Sequence, residues 1–403
     1  MTRGTALLPY PEWRVLEDAF GRGLQPMRLF ALLLPVWQVE IKAVVVEEEP
    51  YQLIDRFIER GIVEGDLGNV DELARFFALD PPIVDRALRF LAAIGHVTWH
   101  DGRLRLTRLG LDSQRDQVCY KLTREDRRKL YFDAFRSRPL GKAYYDASSA
   151  RLLSLPEVRA AASGGYRRFL MLGVQSGFRR EALAELANHA DRERYNLPVR
   201  IAQAQSLGED LVYLPLYVVR AIEKNGRPRY LAYSQPADGA DPELTELCED
   251  SAEISGLLNR EEIANGSESP EEQIAAWLRR KGLEKFRPAR EDDGSWQLTL
   301  PSEAFKPVGP LPLNLLGSFQ ALTTCVVRLR CDDKAARERT LLRRADFYLT
   351  PRSRITASDV ETWVGRTARQ LDLAVNVSEL CELAAKSGKN GLVDRIKDLW
   401  SET

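Results

Sequence analysis

The amino-acid sequence predicts a protein of the α+β class, and three observations carry this prediction. Residues 50–95 place apolar side chains at helical spacing, whereas residues 97–106 alternate apolar and polar side chains. Residues 210–234 form two apolar stretches on either side of Lys-Asn-Gly-Arg, which is a hairpin signal. At 403 residues the chain is long enough for two or three domains.

Changes in composition divide the chain near residues 48, 115, 205 and 355. The predicted parts are an N-terminal segment with a strand (1–48), a domain of three helices and a hairpin (49–115), a basic helical connector (116–205), a β-rich domain (206–355) and C-terminal helices (356–403). The region after the connector is therefore expected to be mixed α/β. The segment VWQVEIKAVVVEEEP (36–50) supplies the N-terminal strand, since it is rich in β-branched residues.

Three helices are expected between residues 50 and 95. Pro50 begins the first, in which Leu53, Ile54, Phe57, Ile58 and Ile62 recur at helical spacing. Asn69 and Glu72 have the spacing of a capping box before the second helix. Its predicted buried stripe is Leu73, Phe76 and Phe77. Pro81 begins the third helix, and Gly95 ends it.

A two-stranded hairpin follows the third helix. Val97 and Trp99 alternate on one side of Asp101-Gly102, and Leu104 and Leu106 on the other. Three helices followed by a hairpin resemble the winged helix-turn-helix domains of bacterial regulators, over residues 50–109. The resemblance implies that the third helix enters the DNA major groove and that the hairpin contacts phosphate.

The resemblance assigns a set of candidate phosphate contacts. They are Arg86 and Arg89 on the third helix, and Arg103, Arg105 and Arg108 on the wing. The third helix has no Asn, Gln, Ser or Thr on its outward positions, and Asp85 among them would repel phosphate. We therefore expect contact with the DNA backbone and little sequence specificity.

Residues 121–180 hold fourteen Lys and Arg but only five Asp and Glu. The segment REDRRKLYFDAF within them is predicted to be helical, and it adds Arg124, Arg127, Arg128 and Lys129 to the candidate contacts. Interleaved aromatic residues could stack on unpaired bases or belong to a core. Residues 236–275 carry twelve acidic residues and could instead neutralise this basic segment from within the chain.

The C-terminal part is expected to begin with strands. These are WQLTL, TTCVVRLRC and RTLLRRADFYLT, the last ending at Thr350. Ser358 and Glu361 then have the spacing of a second capping box, and a terminal helix is expected to end at Trp400.

Several classes of function lack support in the sequence. Phosphate-binding glycine loops are absent, and five scattered Cys with three His make a metal site hard to assemble, so we expect neither cofactor nor metal. The longest apolar run, nine residues at 29–37, falls short of the ~20 that span a bilayer. We expect a cytoplasmic protein without membrane contact. Glu40 and Lys42 match half of the Glu-x-Lys pattern of magnesium-dependent nucleases, which leaves that activity as a minor alternative.

The sequence thus favours a non-catalytic, nucleic-acid-binding adaptor subunit of a bacterial DNA-processing or antiviral defence system. The expected partners of this subunit are DNA, which it binds through the phosphates, and other protein subunits or a second copy of the chain. One alternative is a transcription regulator whose C-terminal domain binds an effector or partner. Another is a protein-only scaffold whose winged helix docks on a partner subunit. The salt dependence of DNA binding separates the scaffold from the other two.

Overall fold

A computed structural model describes residues 7–161, 169–174, 176–195, 197–198, 200–264, 269–306, 309–350 and 355–401. The chain forms two compact units. The first comprises Met1–Leu34, Pro156–Leu172 and Leu214–Thr403, and the second comprises Pro35–Leu155 and Gly173–Tyr213. Two long strands, Gln25–Glu49 and Arg200–Ile222, each continue from one unit into the other.

Helices and strands both occur in each unit, in agreement with the α+β class. The helices are α1 (Glu12–Gly21), α2 (Leu53–Glu64), α3 (Val70–Phe77), α4 (Pro81–Ala93), α5 (Arg108–Asp116), α6 (Leu155–Ala161), α7 (Glu181–Ala187), α8 (Pro242–Asp250), α9 (Ala252–Ala264), α10 (Pro270–Arg280), α11 (Lys334–Leu349), α12 (Ala357–Gln370), α13 (Val377–Lys386) and α14 (Asn390–Ser401). The strands are β1 (Gln25–Glu49), β2 (Val97–His100), β3 (Arg103–Leu106), β4 (Cys119–Asp133), β5 (Leu170–Met171), β6 (Arg200–Ile222), β7 (Pro228–Ser234), β8 (Ala289–Arg290), β9 (Trp296–Leu300), β10 (Phe319–Ala321) and β11 (Val326–Cys331).

The strands form three sheets. The largest has the order β4-β1-β6-β7, with β5 also paired to β1; the second has the order β10-β11-β9-β8; and the third is the β2–β3 hairpin. The predicted hairpin at Lys-Asn-Gly-Arg is confirmed, because β6 and β7 pair antiparallel from Leu216–Ser234 to Ile222–Pro228. Gly226 takes a φ of +84° in that turn, a conformation that glycine adopts without steric cost.

In the second unit, α2, α3 and α4 pack together and the β2–β3 hairpin follows them. Ile58, Leu73, Val84 and Leu91 are almost completely buried in one apolar cluster with Leu104 of the hairpin. The predicted cap of α3 is confirmed, since Asn69 accepts a hydrogen bond from Glu72 N at 2.9 Å. The carboxylate of Glu72, however, accepts from Gly68 N and not from Asn69 N, so the capping box is incomplete.

The predicted helix over residues 124–135 is wrong. The chain there is β4, which pairs antiparallel with β1 in a register that runs from Val36–Asp133 to Glu49–Cys119. Buried Leu130 and Phe132 alternate with exposed Arg127 and Lys129, so the side chains follow a period of two. The many Arg and Lys have good helix propensity, but pairing with the long strand beside them outweighs it.

In the first unit, the segment RTLLRRADFYLT is helical and not a strand. It belongs to α11, whose Leu341, Ala345 and Leu349 are buried at four-residue spacing. Asp333 caps this helix by accepting a hydrogen bond from Ala335 N at 2.8 Å. The second capping box also lies elsewhere: Thr356 and Asp359 form it, because α12 begins before the predicted Ser358.

Candidate nucleic-acid interface

The outward face of α4 carries two of the arginines that the sequence singled out. Arg86 is exposed, and no hydrogen bond or ion pair of its side chain is found within the described residues. Arg89 is also exposed, but its Nη2 lies 2.6 Å from Oδ2 of Asp85, one helical turn earlier. Surface pairs at this spacing contribute only a few tenths of a kcal/mol, about 0.3–0.5, so phosphate could compete for Arg89.

The three remaining arginines of the helix-and-hairpin domain differ in their surroundings. Arg105 on β3 is exposed opposite Thr98 and has no side-chain partner among the described residues. Arg103 bends back, and its Nη2 donates to the backbone oxygen of Asp66 at 2.7 Å. Arg108 was expected on the wing, but it is the first residue of α5, where its side chain is exposed. Arg105 and Arg108 are therefore the more available of the three.

The four basic residues predicted on the connector lie on β4. Arg127 and Lys129 point outward from the strand and are exposed. Arg128 points to the other side, where it makes ion pairs with Glu47 and Asp126, so it is not available to a ligand in this arrangement. The side chain of Arg124 lies outside the described part of the structure.

Exposed apolar side chains are the feature of this domain that sequence analysis missed. Seven lie between residues 53 and 99, and they are Leu53, Phe57, Val63, Phe76, Ile83, Phe90 and Trp99. Phe76 was predicted to be buried, yet it is 65% exposed, with one edge against Phe77 at a centroid distance of 4.9 Å. Trp99 is 55% exposed on β2. Helical spacing identifies apolar faces, but it does not tell which face the neighbouring helices cover.

A buried polar network lies beneath this surface. Glu59 of α2 and His96 are completely buried, and Oε1 of Glu59 is 2.5 Å from Nδ1 of His96. The other ring nitrogen of His96 lies 2.7 Å from the backbone oxygen of Tyr120. A backbone oxygen can only accept, so Nε2 carries a hydrogen and donates it to Tyr120.

The second carboxylate oxygen of Glu59 is also satisfied. The hydroxyl of Tyr51 and the amide of Gln114, at 3.1 Å, both donate to it. The network therefore joins α2, the start of the hairpin, α5 and β4. Two neighbours have shifted pKa values: their own burial raises the pKa of Asp55 and brings that of the Cys119 thiol to about 11, and the charge of Glu59 raises both further. Since none of these central groups reaches solvent, we assign the network a structural role.

Glu40 and Lys42, the residues of the nuclease alternative, lie two positions apart on β1. Nζ of Lys42 donates to Glu125 at 2.7 Å, and Glu40 lies opposite Lys129 in the strand register. No group of three or more His, Cys, Asp or Glu with the proximity to hold a metal ion occurs among the residues that the structure describes. Glu40 and Lys42 are thus part of a surface of alternating charge.

Comparisons with protein families, with curated proteins and with solved structures found no match to this chain. Within the described ranges, no helix is both long and apolar enough to cross a bilayer.

Proposed function

We propose that this chain is a nucleic-acid-binding adaptor subunit that contacts the phosphate backbone through a winged helix formed by residues 53–106. The observation that carries the proposal is the exposure of Arg86, Arg105 and Arg108, none of which has an acidic partner among the described residues. Residues 53–106 contain nine Asp and Glu but only seven Lys and Arg, so the domain has no excess of positive charge. Binding would depend on these few arginines.

The expected interaction is backbone contact without base recognition. Phosphate contacts fix position and orientation but carry no sequence information. The exposed side chains of α4 next to Arg86 are apolar or charged, and none is an amide or hydroxyl that reads a base edge. The proposal therefore favours an accessory subunit in DNA processing or defence over a regulator that recognises an operator.

Salt-dependent binding tests this proposal. Fluorescence anisotropy with duplex and single-stranded DNA, from about 25 to 200 mM NaCl, should show affinity that falls with salt. The triple variant Arg86→Gln/Arg105→Gln/Arg108→Gln should flatten the slope of log K against log salt on duplex DNA by up to about 3, since each lost phosphate contact removes about 0.9. A matched control changes three exposed arginines of the first unit, Arg279, Arg280 and Arg343, to Gln. Equal losses in the two triple variants would refute the proposed interface.

The protein-only scaffold remains a second candidate because of the exposed Phe76 and Trp99. Phe76 lies against Phe77 on α3, and exposed apolar patches are typical of protein contact sites. Sedimentation velocity should then show association that persists at high salt and is lost in Phe76→Ser. Phe347→Ser is the control, since Phe347 is the more exposed side chain and lies on α11 of the first unit. Association unchanged in Phe76→Ser would remove this candidate.

A further inference from the structure

A basic surface lies at the end of α10 and along the segment that leads into β8. Residues 279–290 hold six Lys and Arg but one acid, Glu284, and three more acids follow at 291–293. The six cations are all exposed, and none of them forms an ion pair with another residue that the structure describes. These six residues define the basic surface: Arg279, Arg280, Lys281, Lys285, Arg287 and Arg290.

The packing of α10 fixes one part of this surface. Ile274, Trp277 and Leu278 are buried in the core of the first unit, and Arg279 and Arg280 follow them in the last turn of the helix. Cations are favoured at the C-terminus of a helix, which accounts for these two arginines. It does not account for the cations that lie beyond the helix.

Two of the cations beyond the helix lie over aromatic rings. Nζ of Lys285 is 5.1 Å from the ring centroid of Phe286, and the guanidinium carbon of Arg290 is 5.8 Å from that of Trp296. Contacts of this kind orient a cation without neutralising its charge. The basic surface is therefore held in place by the fold and remains positively charged.

An acidic surface of the same unit lies on α8 and at the start of α9. Residues 241–253 hold six Asp and Glu and no Lys or Arg. Two of the six serve the fold: Asp241 caps α8 by accepting a hydrogen bond from the backbone of the helix at 3.1 Å, and Glu249 pairs with Arg229. Three exposed residues define the acidic surface: Glu246, Asp250 and Glu253.

The two surfaces are complementary in charge. Both belong to the compact unit that contains Leu214–Thr403, yet no ion pair joins them among the described residues. The whole chain carries a formal charge of −1, so copies of it repel one another little. Opposite charges on separate surfaces of a nearly neutral chain favour contact between copies.

We propose that the basic surface of one copy binds the acidic surface of a second copy. Because the two surfaces are different, the contact is head-to-tail, and each bound pair leaves one basic and one acidic surface open to further copies. The interface consists of exposed charged side chains, so salt weakens it. Nucleic acid fits the basic surface less well, since Glu284 within it and the acids at 291–293 beside it would repel a phosphate backbone.

Sedimentation velocity of the full chain, freed of nucleic acid, tests the proposal. At about 20 mM NaCl the average sedimentation coefficient should rise with protein concentration. At about 300 mM it should fall to the monomer value, because the range of interaction between exposed charges is then less than about 10 Å. A chain that is monomeric at both salt concentrations, or equally associated at both, would overturn the proposal.

Charge reversal identifies the two surfaces. Arg280→Glu/Lys285→Glu and Glu246→Lys/Glu253→Lys should each be monomeric at about 20 mM NaCl, since like charges then face each other. An equimolar mixture of the two variants should associate again, because each reversed surface meets its complement on the other variant. Folded variants that do not associate when mixed would refute the assignment of the surfaces.

Lys386→Glu/Lys397→Glu is the matched control, since it changes the net charge by the same amount at exposed positions of α13 and α14. It should associate like the wild type. Thermal unfolding shows whether each variant is folded; Gln at the same two positions is the milder change for one that is not, and it should still weaken association. Loss of DNA affinity in Arg280→Glu/Lys285→Glu without a change in association would assign the basic surface to nucleic acid and contradict the proposal.

Discussion

Glu59 shows how one buried side chain can hold several elements together. Its two oxygens take contacts from His96, Tyr51 and Gln114, which come from different parts of the domain. All of these groups were hydrogen-bonded to water in the unfolded chain. Their burial is therefore tolerated only because the network is closed, and opening it at any point leaves a buried polar group unsatisfied.

Two substitutions at position 59 should distinguish the contribution of hydrogen bonding to stability from that of the negative charge. Glu59→Ala removes the partner of buried His96 and of half-buried Tyr51 and Gln114, so we expect it to lower the free energy of unfolding by about 3–5 kcal/mol. Glu59→Gln keeps an acceptor for Tyr51 and Gln114 and offers an N–H to Nδ1 of His96, so its effect should be clearly smaller. Urea denaturation measures both. Equal losses would show that the charge of Glu59, and not its hydrogen-bonding pattern, stabilises the domain.

Asp55, one turn before Glu59, should make stability depend on pH. Burial raises its pKa in the folded state, and the negative charge of Glu59 raises it further. The folded state therefore favours the protonated form, and this contribution to stability is lost as the pH rises through the raised pKa. Compared with Asp55→Asn, the wild type should lose stability between about pH 4 and pH 7. The measurement is the difference in unfolding free energy at the two pH values, and a difference that stays constant would contradict the argument.

At the scale of elements, α5 depends on a glycine for its close approach to the hairpin. A Cβ on Gly110 would lie 2.5 Å from the backbone oxygen of His96, and this atom cannot move independently of the hairpin. Gly110→Ala should therefore destabilise the protein and lower its unfolding temperature. Gly256 within α9 is the matched control, because a Cβ there meets no atom within 4 Å.

Gly256→Ala should stabilise the protein by about 0.5–1 kcal/mol, the usual gain when alanine replaces glycine inside a helix. The two substitutions are chemically identical and both lie in helices, so opposite effects on the unfolding temperature would isolate the packing at Gly110. Stabilisation by both would mean that α5 can move away from His96 at little cost.

Helix caps and tight turns, which depend on a few neighbouring residues, were predicted well from the sequence. Asn69 caps α3, and Asp101-Gly102 forms the turn between β2 and β3 with φ angles of +48° and +75°. This turn type needs residues that tolerate positive φ, so a dipeptide is enough to predict it. β4 could not be predicted in this way, because its strand conformation depends on pairing with β1, about seventy residues earlier at Glu49–Cys119.

The candidate phosphate contacts and the buried network also differ in whether local sequence can predict them. The arginines of α4 and the hairpin could be proposed from sequence, since their exposure follows from the period of the element that carries them. The buried network of Glu59, His96 and Gln114 could not, because its members are distant in the sequence and meet only after folding. The ion pairing of Arg128 was missed for a related reason: its partner Glu47 lies on the neighbouring strand.

At the scale of the molecule, residues 50–118 form an insertion between two paired strands. β1 ends at Glu49 and β4 begins at Cys119, and these two residues are cross-strand partners. The ends of the insertion are therefore adjacent, as is common where a domain has been inserted into another. The insertion contains α2 to α5 and the β2–β3 hairpin.

Replacing residues 50–118 by Asn-Gly should leave the remaining chain folded. Asn-Gly is the favoured two-residue turn between antiparallel strands, so it can join Glu49 to Cys119 directly. Circular dichroism should show less helix with the strand signal retained, and heating should still give a cooperative transition. DNA binding should lose the part of its salt dependence that Arg86, Arg105 and Arg108 supply.

The main risk to the shortened chain is at the start of β4. Cys119 and Tyr120 are buried in the full chain and would become exposed, so a second version of the shortened chain should also carry Cys119→Thr. If both versions fail to fold, the insertion is part of the folding unit of β1 and β4. If they fold but still bind DNA with the full salt slope, the basic surface lies elsewhere, and exposed Arg127 and Lys129 of β4 become the residues to change next.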